Sequence, residues 1–254
     1  MMVLTLALHE LRRLFLSPLA WATLAVTQIL FGYMFFTQVA YFLQFQPRLM
    51  GLPEAPGITE IVALPLFQNA AVIMLLIVPL MTMRLVADER RGRTLALLFS
   101  APLSMTEIVI GKYLGTLAFF IIMTLLLVLM PLSLLLGGTL DFGLLAAGLL
   151  GLGLLIASFT AIGLFLSSLT QQTTVAAIGS FGVLLLLWII DWAGNSGILK
   201  EGGEELFSYL SLFRHYQTLL EGQFNSSDII YYLLIITTFL VLSIRRLDAD
   251  RLPH

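Results

Sequence analysis

The chain has 254 residues, of which 59% are hydrophobic and 11% are charged, and its formal net charge is −2. Soluble domains carry about 25% charged residues, so the composition excludes an ordinary soluble globular protein and predicts a membrane protein. The chain contains no cysteine, which excludes disulfides and thiolate chemistry.

The amino-terminal segment, residues 2–16, is predicted to form an amphipathic helix. Leu4 and Leu8 recur at helical spacing, while Glu10 and Arg13 fall elsewhere on the helix. Because the segment is short and carries charge near its end, we expect it to lie in the membrane interface rather than to cross the bilayer.

Six apolar stretches follow, and most exceed the roughly 20 residues that cross a hydrocarbon core. They are residues 19–44, 60–86, 106–136, 142–169, 175–192 and 229–244. The last is short and is expected to extend a turn into its polar flanks. The predicted fold is an all-α polytopic membrane protein with six transmembrane helices in a single domain, residues 1–254.

Several residues predict local features of these spans. Pro65 and Pro79 predict kinks in the second span. Gly111 and Gly115 give the third span a GxxxG spacing that permits close helix packing. The many small residues of the fourth span predict a tightly packed helix. Residues 45–59 are predicted as a loop with room for a short surface helix.

The distribution of Lys and Arg predicts the orientation. With six spans both termini share one side, and ten of the 13 basic residues fall on it. These ten are Arg12, Arg13, Arg84, Arg90, Arg91, Arg93, Lys112, Arg245, Arg246 and Arg251. Arg48, Lys200 and Arg214 fall on the other side. The bias places both termini in the cytoplasm and residues 194–227, read as short surface helices, outside it.

A polar island, residues 88–104, separates the second and third spans. Asp88 and Glu89 begin a helix-capable stretch, where negative charge suits the helix dipole, and Pro102 ends it. The residues alone are equally compatible with a basic cytoplasmic loop and with a short helix that docks in a partner's groove. The candidate docking residues are Asp88, Glu89, Arg90, Arg91, Arg93, Leu95, Leu98 and Phe99.

Three polar residues within the spans are candidates for lining a translocation path. Gln28 and Gln38 lie in the first span, and the favoured interpretation of both is hydrogen bonding between helices. Asp191 lies near the outer end of the fifth span, where an interfacial capping role is favoured over an ion site.

The sequence lacks the motifs of familiar membrane enzymes. It has no P-loop pattern, no H-E-x-x-H and no G-x-S-x-G. The three histidines have no metal-ligand spacing, and the spans lack the chain of charges expected of a proton-driven carrier. We therefore expect no catalytic residue, cofactor, metal or nucleic-acid partner in this chain.

Five segments resemble the membrane subunits of type-2 ABC exporters. His9–Ala20 is similar to their opening, Arg84–Ser104 to their coupling segment, and Glu107–Gly115 to the stretch that follows it. Ile162–Thr170 and Leu187–Trp192 resemble the gliding-motility-type permease branch.

The resemblance implies a six-span permease that pairs with a second copy or a sister permease. A separate cytoplasmic ABC ATPase would bind ATP and Mg²⁺. Residues 2–16 would be a connecting helix, residues 88–101 the coupling helix, and the second and fifth spans the walls of the path. Arg93 and Ala96 depart from the family pattern, which has Gly and Thr adjacent and a glutamate at the latter position.

The function expected from the resemblance is that of an exporter permease in a bacterial or archaeal cell (inner) membrane. The apolar spans and the lack of a charged path favour an amphipathic substrate. The alternative is a mechanotransmission subunit that transports nothing and acts on an extracytoplasmic auxiliary protein. The short outer loops disfavour the alternative unless that partner supplies the missing domain.

Overall fold

A computed structural model describes residues 2–49, 57–92, 103–136, 139–194 and 209–251. These residues form helices joined by turns, with no strand among them, and six helices are long and apolar enough to cross a membrane. The predicted all-helical class with six membrane-length helices is therefore confirmed.

The helices have the following bounds. They are α1 (Met2–Leu16), α2 (Pro18–Leu49), α3 (Leu64–Thr82), α4 (Ala87–Arg91), α5 (Met105–Ser133), α6 (Phe142–Leu169), α7 (Thr173–Gly194), α8 (Leu212–Leu220) and α9 (Ser226–Arg251). A π-helical turn, Thr59–Ala63, precedes α3, and a 3₁₀ turn, Leu134–Leu136, follows α5.

Helix α6 is the centre of the bundle, in agreement with the tight packing predicted for the fourth span. It packs against α3, α5, α7, α8 and α9. A β-carbon on Gly148 would lie 2.7 Å from the Phe67 ring, and one on Gly151 would lie 3.1 Å from Leu219. Small residues on α6 thus let its neighbours approach its backbone closely.

Helix α1 lies along the first half of α5 and is not among the six membrane-length helices. A β-carbon on Gly111 would lie 2.6 Å from the side chain of Leu6, and one on Gly115 would lie 2.6 Å from the backbone oxygen of Ala7. The GxxxG pattern of the third span is therefore the contact surface for α1. Leu4, 67% exposed, faces away from the bundle.

Two helix boundaries and the position of one proline differ from the sequence prediction. Helix α2 continues to Leu49, so residues 45–49, predicted as loop, are helical. Helix α9, Ser226–Arg251, extends into its polar flanks as predicted, but beyond residue 244 it is longer than the expected single turn. Ion pairs to α4 and within α9 hold these polar turns. Pro65 lies in the first turn of α3 and directly follows the π-helical turn Thr59–Ala63. The helix is therefore irregular just before Pro65 and not kinked in the interior of α3.

The bundle has two distinct ends. At one end, the polar end, lie α1, α4, the first turns of α5 and the last turns of α6 and α9. At the other end, the α8 end, α8 packs on the first turns of α6 and on the beginning of α3. The polar end carries the beginning of the polar island.

Candidate functional site

The second membrane-length helix is broken at the polar end. Helix α3 ends at Thr82, and residues 83–86 form turns before α4 begins. Pro79, which has no N–H to donate, lies in the last turn of α3. The Thr82 hydroxyl donates to the backbone oxygen of Val78, 2.9 Å away, within the same helix. We call residues 83–86 the α3–α4 hinge.

One serine of α6 satisfies the backbone groups that the hinge exposes. The Ser167 hydroxyl accepts hydrogen bonds from the N–H groups of Val86 (3.1 Å) and Ala87 (3.2 Å), and donates to the backbone oxygen of Met83 (2.9 Å). A hydroxyl offers one donor and two acceptor positions. The single side chain of Ser167 therefore uses its full hydrogen-bonding capacity to hold the hinge.

A glycine one turn earlier on α6 lets the hinge come close. A β-carbon at Gly163 would lie 2.1 Å from the Thr82 hydroxyl oxygen and 2.8 Å from its Cβ. Because such contacts are closer than packed atoms tolerate, this position requires glycine. Gly163 and Ser167 are four residues apart, so they lie on the same face of α6.

Four charged side chains from three helices meet beside the hinge. We call Glu10 and Arg13 of α1, Glu89 of α4 and Lys112 of α5 the charge cluster. Lys112 Nζ lies 2.5 Å from Glu89 Oε1 and 3.7 Å from Glu10 Oε2. An Arg13 guanidinium nitrogen lies 2.5 Å from Glu10 Oε1, and the other lies 3.5 Å from Glu89 Oε1.

The charge cluster pairs two carboxylates with two cations, and all of its side chains except that of Arg13, which is 40% exposed, are mostly removed from solvent. The Glu10 side chain is 5% exposed and the Lys112 side chain 9%. Each carboxylate contacts both cations, so each charge is balanced where it is desolvated. Such an arrangement needs all of its members, because removing one partner leaves an uncompensated buried charge. The charge cluster thus fixes α4 to both α1 and α5.

A second ion pair fixes α4 to the carboxyl-terminal part of α9. The Arg90 guanidinium contacts the Asp250 carboxylate, and Arg246 approaches the other oxygen of that carboxylate at 3.8 Å. Together with the charge cluster and Ser167, this contact connects the five-residue helix α4 to α1, α5, α6 and α9.

The predicted docking residues divide into three groups. Glu89 and Arg90 are turned inward and form the ion pairs just described. Asp88 and Arg91 are exposed on the surface of α4. The others, Arg93, Leu95, Leu98 and Phe99, lie outside the described residues.

Sequence reasoning missed Glu10, Arg13 and Lys112 as members of this site. The signals were present: Glu10 is an acidic residue within an otherwise apolar helix face, and Lys112 directly follows Gly111 in a close-packing pattern. A charge next to a helix–helix contact surface indicates an ion pair across that contact, but the chain order does not reveal its partner.

The candidate path-lining residues do not form one site among the described contacts. Gln28 donates from Nε2 to the backbone oxygen of Met123 on α5, 3.1 Å away, which is the predicted interhelical hydrogen bond. Gln38 is half-buried on α2, ten residues further and about 15 Å along the helix. Asp191 lies in α7, and its side chain is outside the described set.

A buried histidine–carboxylate pair lies at the α8 end. His215 Nδ1 is 2.6 Å from Asp228 Oδ1, and His215 Nε2 is 2.9 Å from the backbone oxygen of Tyr209. Because a carbonyl oxygen only accepts, Nε2 is the nitrogen that donates to Tyr209, and Nδ1 faces the Asp228 carboxylate. The imidazole also stacks on Tyr231 at 4.1 Å. The pair joins α8 to the first turn of α9.

Comparison with known proteins identifies one family. A family model described as ABC-2 family transporter protein matches residues 4–252, which is nearly the whole chain. No curated protein matches the chain.

Proposed function

Because the chain belongs to the ABC-2 transporter family, we propose that it is the permease subunit of an ATP-driven exporter that receives force through the polar island. The family is a membrane component of transport and not itself catalytic. In this proposal a separate cytoplasmic ATPase binds ATP and Mg²⁺ and docks on residues 88–101. The six membrane-length helices form the transporting part.

The observation that carries the proposal is the way α4 is held. A five-residue helix has too few internal hydrogen bonds to be stable alone. Helix α4 is instead connected to α1 and α5 by the charge cluster, to α9 by Arg90, and to α6 by Ser167. A displacement of α4 must therefore move several helices or break buried polar contacts.

The exposed and inward residues of α4 suit different tasks in this proposal. Asp88 and Arg91 face outward and are available to a partner's charges, which set the register of docking. Glu89 and Arg90 face inward and transmit the movement. The hinge beside Pro79 and Gly163 is where α3 and α4 would change their relative angle.

The orientation follows from the basic residues. Arg12, Arg84, Arg91 and Lys112 lie at the polar end, as does Arg246 near the end of α9. Basic residues concentrate on the cytoplasmic side of multi-pass proteins. We infer that the polar end and both termini are cytoplasmic and that the α8 end faces outward from the cell (inner) membrane.

The proposed second permease subunit has an apolar surface to occupy on α7. Only 17% of the membrane window of α7 is buried within the chain. Ile178 and Leu186 are 68% and 71% exposed. A β-carbon on Gly179 or Gly182 would meet no atom within 4 Å. These four residues share one helix face, and small residues there permit close packing between membrane helices.

Site-specific cross-linking tests the docking proposal. The natural chain has no cysteine, so a single introduced cysteine gives one labelling position. We expect Asp88→Cys and Arg91→Cys, coupled by a thiol-to-amine cross-linker, to link to the co-expressed ATPase of a neighbouring reading frame. Asn225→Cys, equally exposed in the turn before α9 at the α8 end, is the matched control and should not link.

Reconstituted vesicles separate the proposal from its alternative. In the proposed exporter, Leu98→Asp weakens co-purification of the ATPase and lowers both ATP hydrolysis and substrate movement. Equal cross-linking from Asn225 and Asp88 would contradict docking at the polar island. Coupled ATP hydrolysis without movement of any lipid-linked glycan, drug or peptide would instead favour a mechanotransmission subunit.

A further inference from the structure

An open pocket lies at the polar end between the end of α1, the beginning of α2 and the hinge. Its volume is about 210 Å³. One water molecule needs about 10–15 Å³ of such space, so the pocket accommodates a group of many atoms. Its polar lining comes from Arg13, Ser17, Arg84 and Asp88, and its apolar lining includes Leu14 and Met81. A pocket lined in this way suits an amphipathic ligand.

The pocket lies at the level where lipid headgroups meet the apolar core. Trp21, one turn into α2, is exposed, and its indole N–H donates to the backbone oxygen of Phe15, 2.7 Å away. Exposed tryptophans concentrate at the membrane–water interface. The exposed apolar side chains of Leu8 and Leu16 give α1 an outward face that suits the same interface.

The charges that line the pocket are separate from one another. Within the described part of the chain, neither Arg84 nor Asp88 forms an ion pair, although both face the same pocket. The Arg13 charge is balanced by the charge cluster. The pocket therefore presents one uncompensated guanidinium and one uncompensated carboxylate more than 4 Å apart.

We propose that this pocket binds the headgroup of an amine-bearing phospholipid, with its phosphate on Arg84 and its ammonium on Asp88. Guanidinium groups bind phosphate through paired hydrogen bonds, and Arg13 and Ser17 line the same pocket as Arg84. A primary ammonium has N–H groups that can donate hydrogen bonds to the Asp88 carboxylate, whereas a quaternary ammonium has no N–H to donate. The apolar lining at Leu14 and Met81 receives the glycerol and upper acyl region. Occupancy would place a lipid against the α3–α4 hinge.

Native mass spectrometry of the full-length protein in detergent tests the site without any ATPase. The probes are phosphatidylethanolamine, phosphatidylcholine and phosphatidylglycerol with identical acyl chains, each titrated at matched ratios. We expect the ethanolamine lipid to bind the wild-type protein more tightly than the choline lipid does. Arg84→Gln should weaken all three by about tenfold or more, the loss expected for hydrogen bonds to a charged group.

Two further variants make the test specific. Asp88→Asn should lower ethanolamine-lipid binding to the level of the choline lipid while leaving the choline lipid unchanged. Arg12→Gln removes an exposed neighbouring cation that does not line the pocket, and binding should stay within about twofold of wild type.

Three results would overturn the proposal. The first is unchanged lipid binding in Arg84→Gln, and the second is an undiminished ethanolamine preference in Asp88→Asn. The third is that inorganic phosphate raises the unfolding temperature of the protein as much as the ethanolamine lipid does, which would make the pocket a site for a free anion. Because the assay contains only this chain and lipid, its failure leaves the proposed ATPase docking untouched.

Discussion

Replacing Lys112 with methionine tests whether the charge cluster holds the polar end together. Methionine keeps most of the side-chain length and removes only the charge. Lys112 contacts Glu89 at 2.5 Å and Glu10 at 3.7 Å. A unit-charge pair at about 4 Å is worth about 4 kcal/mol at an effective dielectric constant of about 20. The substitution also removes the cost of burying the ammonium. The net loss of unfolding free energy is then about 3–5 kcal/mol, as for other buried pairs that lose one partner.

Thermal unfolding in detergent measures this loss. A change of 1 kcal/mol shifts the unfolding temperature of a chain of this size by about 2–4 °C, so Lys112→Met should lower it by about 10 °C. Arg246→Met is the control. Its side chain is 43% exposed and its pair spans 3.8 Å, so the cost should be at most about 1 kcal/mol.

A second substitution in the same protein tests whether the charges of the cluster are coupled, through the direction in which it changes stability. Adding Glu89→Gln to Lys112→Met removes the carboxylate left without its nearest cation, while the close Glu10–Arg13 pair at 2.5 Å stays balanced. The double variant should therefore be more stable than the single variant, by about 2 kcal/mol. A double variant as unstable as the sum of the two single changes would refute the idea of a coupled cluster.

Three further changes probe the other contacts of the bundle. Ser167→Ala leaves two buried N–H groups of the hinge without acceptors and should cost about 1–3 kcal/mol of unfolding free energy; the adjacent Ser168→Ala, whose hydroxyl bonds only within α6, should cost less. Gly163→Ala overpacks the contact with α3 and should cost about 1–3 kcal/mol, whereas Gly153→Ala, which faces open space, should be neutral or stabilising. Burial raises the pKa of the Tyr216 phenol above its usual value. Above pH of about 10 the unfolded chain therefore loses a proton that the native chain keeps, and native stability falls. Tyr216→Phe should flatten this alkaline decline in unfolding scans while losing about 1 kcal/mol at neutral pH.

The membrane-length helices were predictable because hydrophobic length is a local property. Each apolar stretch must satisfy its own backbone hydrogen bonds within the bilayer, so a helix of about 20 residues is the outcome whatever the neighbours do. The departures from the prediction occur at the polar ends of the helices, where tertiary contacts determine at which residue a helix ends. Helix α9 continues to Arg251 through polar sequence, and an ion pair to α4 holds Asp250 near that end.

The position of the candidate site was predictable, but the contacts among its residues were not. The polar island identified α4 by its charge between two spans, but the inward direction of Glu89 and Arg90 depends on partners 23 to 160 residues away. The hinge was predictable only in part: Pro79 predicted a kink in the second span, but the sequence does not show that Ser167 of the fourth span holds it. The role of Ser167 depends on its position four residues after Gly163 and opposite a broken helix.

Helix α1 shows how the charges and the membrane act together at the polar end. An interfacial helix usually turns its charged face to water and its apolar face to lipid. In α1 the apolar residues Leu4 and Leu8 are exposed, while Glu10 is buried against α5. In the proposed interfacial placement the membrane would restrain the outer face of α1, while the charge cluster holds its inner face to α4. Because both restraints act on the same short helix, a force applied to α4 is opposed by the bilayer as well as by the bundle.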